Sequence, residues 1–353
     1  MDILLSLPIA SYFFSTSLTS WSTSLNLLFF YMTWSTLVLS HSPLKIELLG
    51  VLGIRIVFWL VPSLFFLIFD CVLPSLAETI KFKGSSALPP RDATILSKLV
   101  GLALLNLCLE SALQAGISLG LAHLLQTPVF RSSTTLPLPF QIIKHILLLF
   151  AAREFLTYFI HRYLLHGATT SNKPISSTLE NLHLQYAHSR RAPPFALTLM
   201  TDHPVSFLLH RFVPMYLPAV ILGCSRASGL HILTFLAFII LVTLEETLSM
   251  SGYTIVPGIL LGGIARRNAL HYCSAPGSRS SSGSSGNFGS WGILDWIHGT
   301  SLGKDVMSDV KDEAEKHHLR ERGEKKADGM GGFVEEGISS LRRSARNRKS
   351  KAR

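Results

Sequence analysis

The stretch PFQIIKHILLLFAAREFLTYFIHRYLLH, residues 139–166, joins an apolar run to two histidines. About 20 consecutive apolar residues are needed to cross the hydrocarbon core of a bilayer, and 139–160 has that length. His161 and His166 follow at once, where the segment would leave the membrane. The stretch therefore predicts a membrane helix that ends in a polar site.

The rest of the chain repeats the apolar pattern. Mean hydropathy is +0.37 and only 15% of the 353 residues are charged, which is typical of an integral membrane protein. The predicted fold is all-α, a multi-pass membrane helical bundle with a cytoplasmic histidine-rich cap that holds a metal site. Further strong apolar segments are 48–74, 99–125 and 229–249; a weaker one is 24–40, and 205–223 is predicted to form a helical hairpin with 229–249.

Three parts of the chain are predicted: N-terminal transmembrane helices over 1–138, a domain rich in histidine motifs over 139–303, and a basic, largely disordered cytoplasmic tail over 304–353. The formal net charge of +10 owes much to the last twelve residues, which hold seven Arg or Lys. Beside membrane segments, such a tail indicates either contact with anionic lipid or simple solvation, and not a nucleic-acid partner. The four cysteines form no CxxC pair, so neither a zinc ribbon nor a disulfide framework is predicted.

Lysine and arginine in the loops predict the orientation. The loop 75–98 carries four of them and the loop 126–138 carries one, so the first should be cytoplasmic and the second lumenal. Residues 161–204 and 250–353 then share the cytoplasmic face. The histidines in these two segments are His161, His166, His183, His188, His203, His271 and His298.

Histidines gathered on one face are suited to a metal site, since neutral imidazole binds borderline transition metals. Imidazoles without thiolates suit iron better than a structural zinc site. The spacing of His161 and His166 is less favourable, because residues five apart lie about 140° apart on an ideal α-helix. The motifs after HRYLLH are HLQYAHSRRAPPF (183–195), TDHPVSF (201–207), ALHYCSAPG (269–277) and NFGSWGILDWIHGT (287–300).

In this order, over roughly 140–303, the motifs resemble the fatty acid hydroxylase/sterol desaturase superfamily of membrane di-iron oxygenases. The resemblance implies a non-haem centre of two irons that uses O2 to hydroxylate or desaturate a sterol or fatty acyl lipid. It also implies a cytochrome b5-type or reductase electron donor and an endoplasmic reticulum membrane. The implied metal ligands are His161, His166, His183, His188, His203 and His271.

The sequence departs from the family pattern at four positions where the resemblance leads us to expect histidine: Ala187, Met250, Asn268 and Tyr272. A catalytically degenerate protein of the same fold, acting as a lipid-binding or scaffolding membrane protein, is therefore the alternative function. Substrate, reaction type, redox partner and oligomeric state are left open by the sequence.

Several other polar residues allow more than one interpretation. Carboxylates could complete the ligand set; alternatively, Glu245 and Glu246 cap a helix and face water. Arg153 and Glu154 are predicted to pair with each other. His145, His210 and His231 fall in apolar segments and are predicted to be interfacial or hydrogen-bonded, not ligands. The candidate carboxylates are Asp202, Glu245, Glu246 and Asp295.

Overall fold

The computed structural model describes residues 21–167, 174–225, 229–254, 259–274 and 285–316. Within these ranges the regular elements are helices, with isolated bridges but no strand. The predicted all-α membrane bundle is confirmed. Most of the basic tail and most of the Ser- and Gly-rich stretch 276–286 lie outside the described residues.

The helices begin where the sequence provides a start signal. Proline opens several of them, because the first helical turn needs no backbone N–H from that position. Asp92 caps the longest helix, with its Oδ1 accepting a hydrogen bond from the Thr94 amide at 2.7 Å. The helices are α1 (Trp21–Ser40), α2 (Pro43–Val72), α3 (Pro74–Ile80), α4 (Ala93–Leu125), α5 (Pro139–Phe159), α6 (Pro174–Tyr186), α7 (Pro204–Gly223), α8 (Ile232–Ser249), α9 (Ile259–Cys273), α10 (Ile293–Ile297) and α11 (Val306–Lys316).

Four of these helices, α2, α4, α7 and α8, are long and apolar enough to cross a membrane. They expose large apolar side chains outward, such as Phe65 and Ile221, as lipid-facing helices do. Helix α5 was predicted to be a span of the same kind, but it is not among the four. It carries Arg153 and Glu154, which are buried, and it packs against α7 and α8, while apolar side chains such as Leu147 and Phe155 are exposed.

Aromatic and aliphatic side chains of α2, α5, α7 and α8 form the larger of two hydrophobic clusters. Phe130 stacks on Phe235 with ring centroids 4.2 Å apart, and both are almost fully buried. Aromatic pairs of this kind contribute beyond the area they bury. The cluster thus joins helices that precede residue 138 to helices that follow it.

The two ends of the bundle differ in the segments they bring together. At one end the Arg131 amide donates to the Leu230 carbonyl at 2.9 Å, which ties the 126–138 loop to the start of α8. At the other end the Phe82 amide donates to the Gly252 carbonyl at 2.9 Å, and Arg190 donates to the Leu88 carbonyl at 2.6 Å. The 75–98 loop and the histidine motifs therefore lie at the same end.

Three π-helical turns interrupt the long helices, at Ile56–Leu60 in α2, Ile160–Leu165 after α5, and Leu208–Phe212 in α7. A π turn bonds residues five apart and is often found at functional sites. Two of the three π turns carry histidines, and both lie at the end of the bundle where the histidine motifs meet the 75–98 loop, which we call the histidine end.

Candidate metal centre

The first histidine pair is brought together by the π turn that follows α5. The His166 amide donates to the His161 carbonyl at 3.1 Å, which closes one turn over five residues. The two rings consequently lie 4.9 Å apart, and the unfavourable angle predicted from an ideal α-helix does not arise. Gly167 follows with φ +54°, a left-handed conformation that other residues adopt rarely.

The second pair comes from the end of α6 and the turn after it. His183 and His188 are buried, with ring centroids 5.1 Å apart. The Nδ1 atom of His183 lies 2.7 Å from Oδ2 of Asp202, so this carboxylate fixes the orientation of the ring. His188 stacks on Tyr272, with centroids 5.2 Å apart and an interplanar angle of 22°.

His271, on α9, completes the group. Its ring centroid lies 4.5 Å from that of His161 and 4.8 Å from that of His188. Its Nδ1 lies 2.7 Å from the carbonyl oxygen of Gly286. At Gly286 a Cβ atom would overlap the Thr300 carbonyl oxygen, so the backbone carbonyl approaches the imidazole only with glycine here.

The five histidines converge. One ligand atom from each of His161, His166, His183, His188 and His271 lies within 4.8 Å of every other. The Nε2 atoms of all five are buried and have no hydrogen-bond partner among the described residues. Buried polar atoms are almost always paired, so a set of unpaired ones needs an explanation.

The hydrogen bonds fix which ring nitrogen carries the proton. The Nδ1 of His161 lies 3.0 Å from the Phe288 carbonyl oxygen, and His271 has the Gly286 carbonyl in the same role. A carbonyl only accepts, so Nδ1 bears the hydrogen and Nε2 keeps its lone pair. Burial, reinforced by neighbouring imidazoles, holds the pKa of His161, His166 and His188 well below the usual value, and burial lowers the pKa of His271 to about 4. Neutral imidazoles with free lone pairs fit a transition-metal ion.

His203, the sixth ligand in the sequence prediction, does not join the group. Its Nδ1 accepts a hydrogen bond from the Val205 amide at 3.3 Å, which makes it the N-cap of α7. Its ring packs against Tyr186, with centroids 5.2 Å apart. The difference from the sequence prediction arises because Pro204 begins a helix here, and the preceding side chain is used to cap it.

The four positions at which histidine was expected have other local roles. Met250 is fully buried in the second hydrophobic cluster, against residues that include Phe195 and Phe207. Asn268 donates to the Ser249 hydroxyl at 3.2 Å. Tyr272 supports the ring of His188, and Ala187 is half-buried next to it. Each side chain serves packing or hydrogen bonding where the family pattern has an imidazole.

The two glutamates are buried and ion-paired, so the interpretation that they face water is wrong. The Nη1 of Arg153 lies 3.1 Å from a Glu245 oxygen, and its Nη2 lies 3.0 Å from a Glu246 oxygen. Arg211 contacts Glu246 at 3.2 Å. Arg153 therefore forms ion pairs with two glutamates of α8. We call these four residues the arginine–glutamate network.

The remaining carboxylates hold the loop beside the cluster. Glu154, predicted to pair with Arg153, instead accepts from the amides of Trp291 and Ile293 at 2.8 and 3.1 Å. Asp295 accepts from the amides of Phe288 and Gly289 at 2.8 and 2.7 Å. Both thereby fix the loop whose Phe288 carbonyl orients His161. Neither carboxylate belongs to the group of possible ligand atoms.

His210 is the residue near the site whose place the sequence did not indicate. It is buried, and its ring centroid lies 4.1 Å from that of His161. The apolar segment around it predicted an interfacial or hydrogen-bonded side chain. The π turn at Leu208–Phe212 is not evident in the apolar pattern. His210 lies outside the group of five histidines whose ligand atoms converge.

A small cavity of about 20 Å³ separates the histidines from the arginine–glutamate network. That volume is enough for roughly one water molecule. His161 and His271 line one side of it, while Arg153 and Arg211 line the other.

Comparison with known proteins agrees with the sequence motifs. The model of the fatty acid hydroxylase family matches residues 146–300, which contain all five converging histidines. The predicted resemblance to the fatty acid hydroxylase/sterol desaturase superfamily is confirmed over this segment. No solved structure matches the chain.

Proposed function

We propose, from the premise that residues 146–300 are a fatty acid hydroxylase segment, that this protein oxidises C–H bonds of a membrane lipid at a non-haem iron centre. The proposal covers hydroxylation and desaturation of a sterol or fatty acyl chain. The observation that carries it is a group of five histidines at the end of a membrane bundle, whose ligand atoms converge and whose Nε2 atoms are buried without a partner among the described residues.

In this proposal His161, His166, His183, His188 and His271 hold the metal. Asp202 and the Phe288 and Gly286 carbonyls keep three of the rings in the required tautomer and orientation. Bound iron would supply O2 activation, which side chains alone do not provide. Burial of the histidines excludes bulk water, which protects the reaction from competing hydrolytic and proton-transfer events.

The substrate would reach the site from the bilayer. An apolar cavity of about 270 Å³ opens beside α5 and α10, lined mainly by aliphatic and aromatic side chains that include Phe150 and Trp291. Trp291, which lines this cavity, directly follows Ser290, which lines the cavity at the histidines. The Trp291 Nε1 donates to Glu245 at 2.9 Å, and Glu245 lines the smaller cavity at the histidines.

Oxidation of a C–H bond to C–OH by O2 consumes two electrons and two protons and releases one water. We assign the electrons to a separate protein of the cytochrome b5 or reductase class. It would dock at the histidine end, which we place in the cytoplasm of an endoplasmic reticulum membrane. Three exposed cations of the 75–98 loop at that end support the orientation: Lys83, Arg91 and Lys98.

The test is a paired measurement on the full-length protein purified in mild detergent from iron-supplied cells. Metal content per chain is determined first, and the lipids of expressing cells are then compared with those expressing His161→Ala/His166→Ala. Bound iron together with an oxidised lipid that disappears in the variant is the expected result. A folded, monodisperse protein without metal would overturn the proposal and favour the lipid-binding alternative, which Ala187 and Met250 at expected ligand positions support.

A further inference from the structure

We propose that the centre holds one metal ion and that the arginine–glutamate network occupies the place where the family resemblance implies a second. This inference rests on the proposed function in one respect, namely that the histidines bind a metal. It departs from the predicted pair of irons. The observations that carry it are the size of the histidine group, the use of the nearby carboxylates, and the charge beside the cavity.

The histidine group has the size of a single coordination sphere. Metal–nitrogen bonds are about 2.0–2.1 Å, so opposite ligands of one ion are roughly 4.2 Å apart. The five ligand atoms here lie within 4.8 Å of one another. Two ions separated by about 3.5–4 Å would place the outermost ligands of the pair roughly 7–8 Å apart. The observed spread matches one ion, with slight contraction on binding.

Among the described residues, the carboxylates that line the cavity beside the histidines are already ion-paired. Glu245 and Glu246 are taken up by Arg153 and Arg211, with nitrogen–oxygen distances of 3.0–3.2 Å. Asp202 is bonded to the outer nitrogen of His183. Among the described residues, the positions that would add imidazoles carry Met250, Asn268 and Tyr272, which are engaged in packing and hydrogen bonding. The fourth such position carries Ala187, whose side chain has no atom that can bind a metal.

The charge beside the group disfavours a second ion. The cavity of about 20 Å³ is lined on one side by Arg153 and Arg211 together with their ion-pair partners Glu245 and Glu246. The side chain of Arg153 is 4% exposed and that of Arg211 is 14% exposed, so solvent screens their charges only weakly. The charges of the two arginines and the two glutamates cancel, so a divalent cation placed there would meet no net negative charge and would have to break an ion pair to gain an oxygen ligand. The same volume suits one water or a small uncharged ligand.

The experiment uses the full-length protein in detergent, freed of metal with a chelator and titrated anaerobically with Mn(II), which serves as a spectroscopic probe. Metal and protein are quantified after gel filtration, and the electron paramagnetic resonance spectrum is recorded at saturation. The expected result is one Mn(II) per chain and the six-line signal of an isolated ion. Two ions per chain with an exchange-coupled spectrum would overturn the single-ion inference and leave the proposed function standing.

A matched pair of variants separates the two proposals. His271→Ala should lower Mn(II) to near zero per chain, while His203→Ala, which changes a histidine outside the group, should keep one ion. If the unmodified, folded protein binds no Mn(II) and no iron, the metal centre itself is wrong, and the inference fails together with the proposed function. The unmodified protein alone decides the stoichiometry, so the test does not depend on the folding of a variant.

Discussion

The histidine group and the arginine–glutamate network lie side by side at one end of the bundle, and they differ in how their polar atoms are satisfied. In the network, each guanidinium contacts carboxylate oxygens, and Trp291 adds a further donor to Glu245. In the histidine group, the five Nε2 atoms have no partner among the described residues. The network is satisfied within the protein, whereas at least one nitrogen of each ring in the histidine group has no partner among the described residues.

Buried polar side chains therefore serve different purposes in the network and in the histidine group. A buried charge pair is stable only when both partners are present, and removal of one is strongly destabilising. A buried imidazole with its outer nitrogen bonded and its inner nitrogen free is oriented for a ligand, and metal binding supplies the missing interaction. Changes in the network should therefore affect folding, and changes in the histidine group should affect metal.

The largest effect is expected for His161→Ala combined with His166→Ala. The change removes two of five imidazoles and opens the group, so we expect bound metal to fall to near zero per chain. Elemental analysis after gel filtration measures this. The double variant His41→Ala/His123→Ala, in two exposed histidines, serves as the matched control and should retain metal. Equal metal in both variants would mean that the converging group is not the metal centre.

Next in size is Glu246→Gln, which tests the network. Glu246 contacts Arg153 at 3.0 Å and Arg211 at 3.2 Å, and its side chain is 7% exposed. Removal of its charge leaves two guanidinium groups poorly compensated, and we expect a loss of about 3–5 kcal/mol in the free energy of unfolding. Chemical unfolding in detergent measures it, with exposed Glu78→Gln as the control. A variant of unchanged stability that loses its metal would place Glu246 among the ligands.

A smaller effect is expected for Asp202→Asn. The asparagine can still accept from His183, but it lacks the negative charge that increases the basicity of the imidazole. We expect metal affinity to fall roughly 10–100-fold, as is typical when an outer partner of a ligand is changed. Competition with a chelator of known affinity measures this. Asp92→Asn, at the exposed cap of α4, should leave metal affinity unchanged. An equal change in both variants would indicate a general effect on folding.

The sequence predicted the membrane helices and the gathering of histidines, because both depend on local composition and loop charge. It could not predict how His161 and His166 come to face the same pocket, since a π turn adds one residue to a helical turn without a sequence signature. It also assigned Arg153 to Glu154, its neighbour in the chain. The partners on α8 lie 92 and 93 residues away, and only the packing of α5 on α8 brings them into contact.

The smallest effect is expected for His203→Ala, which tests whether the metal centre is limited to the five converging histidines. From its motif, His203 was predicted to be a ligand, but its Nδ1 accepts a 3.3 Å hydrogen bond from the Val205 amide. Loss of this cap should cost about 0.5–1 kcal/mol in the free energy of unfolding. Metal content should stay at that of the unmodified protein, because the five converging imidazoles are intact. A fall in metal without a fall in stability would bring His203 into the coordination sphere and reject the five-histidine centre.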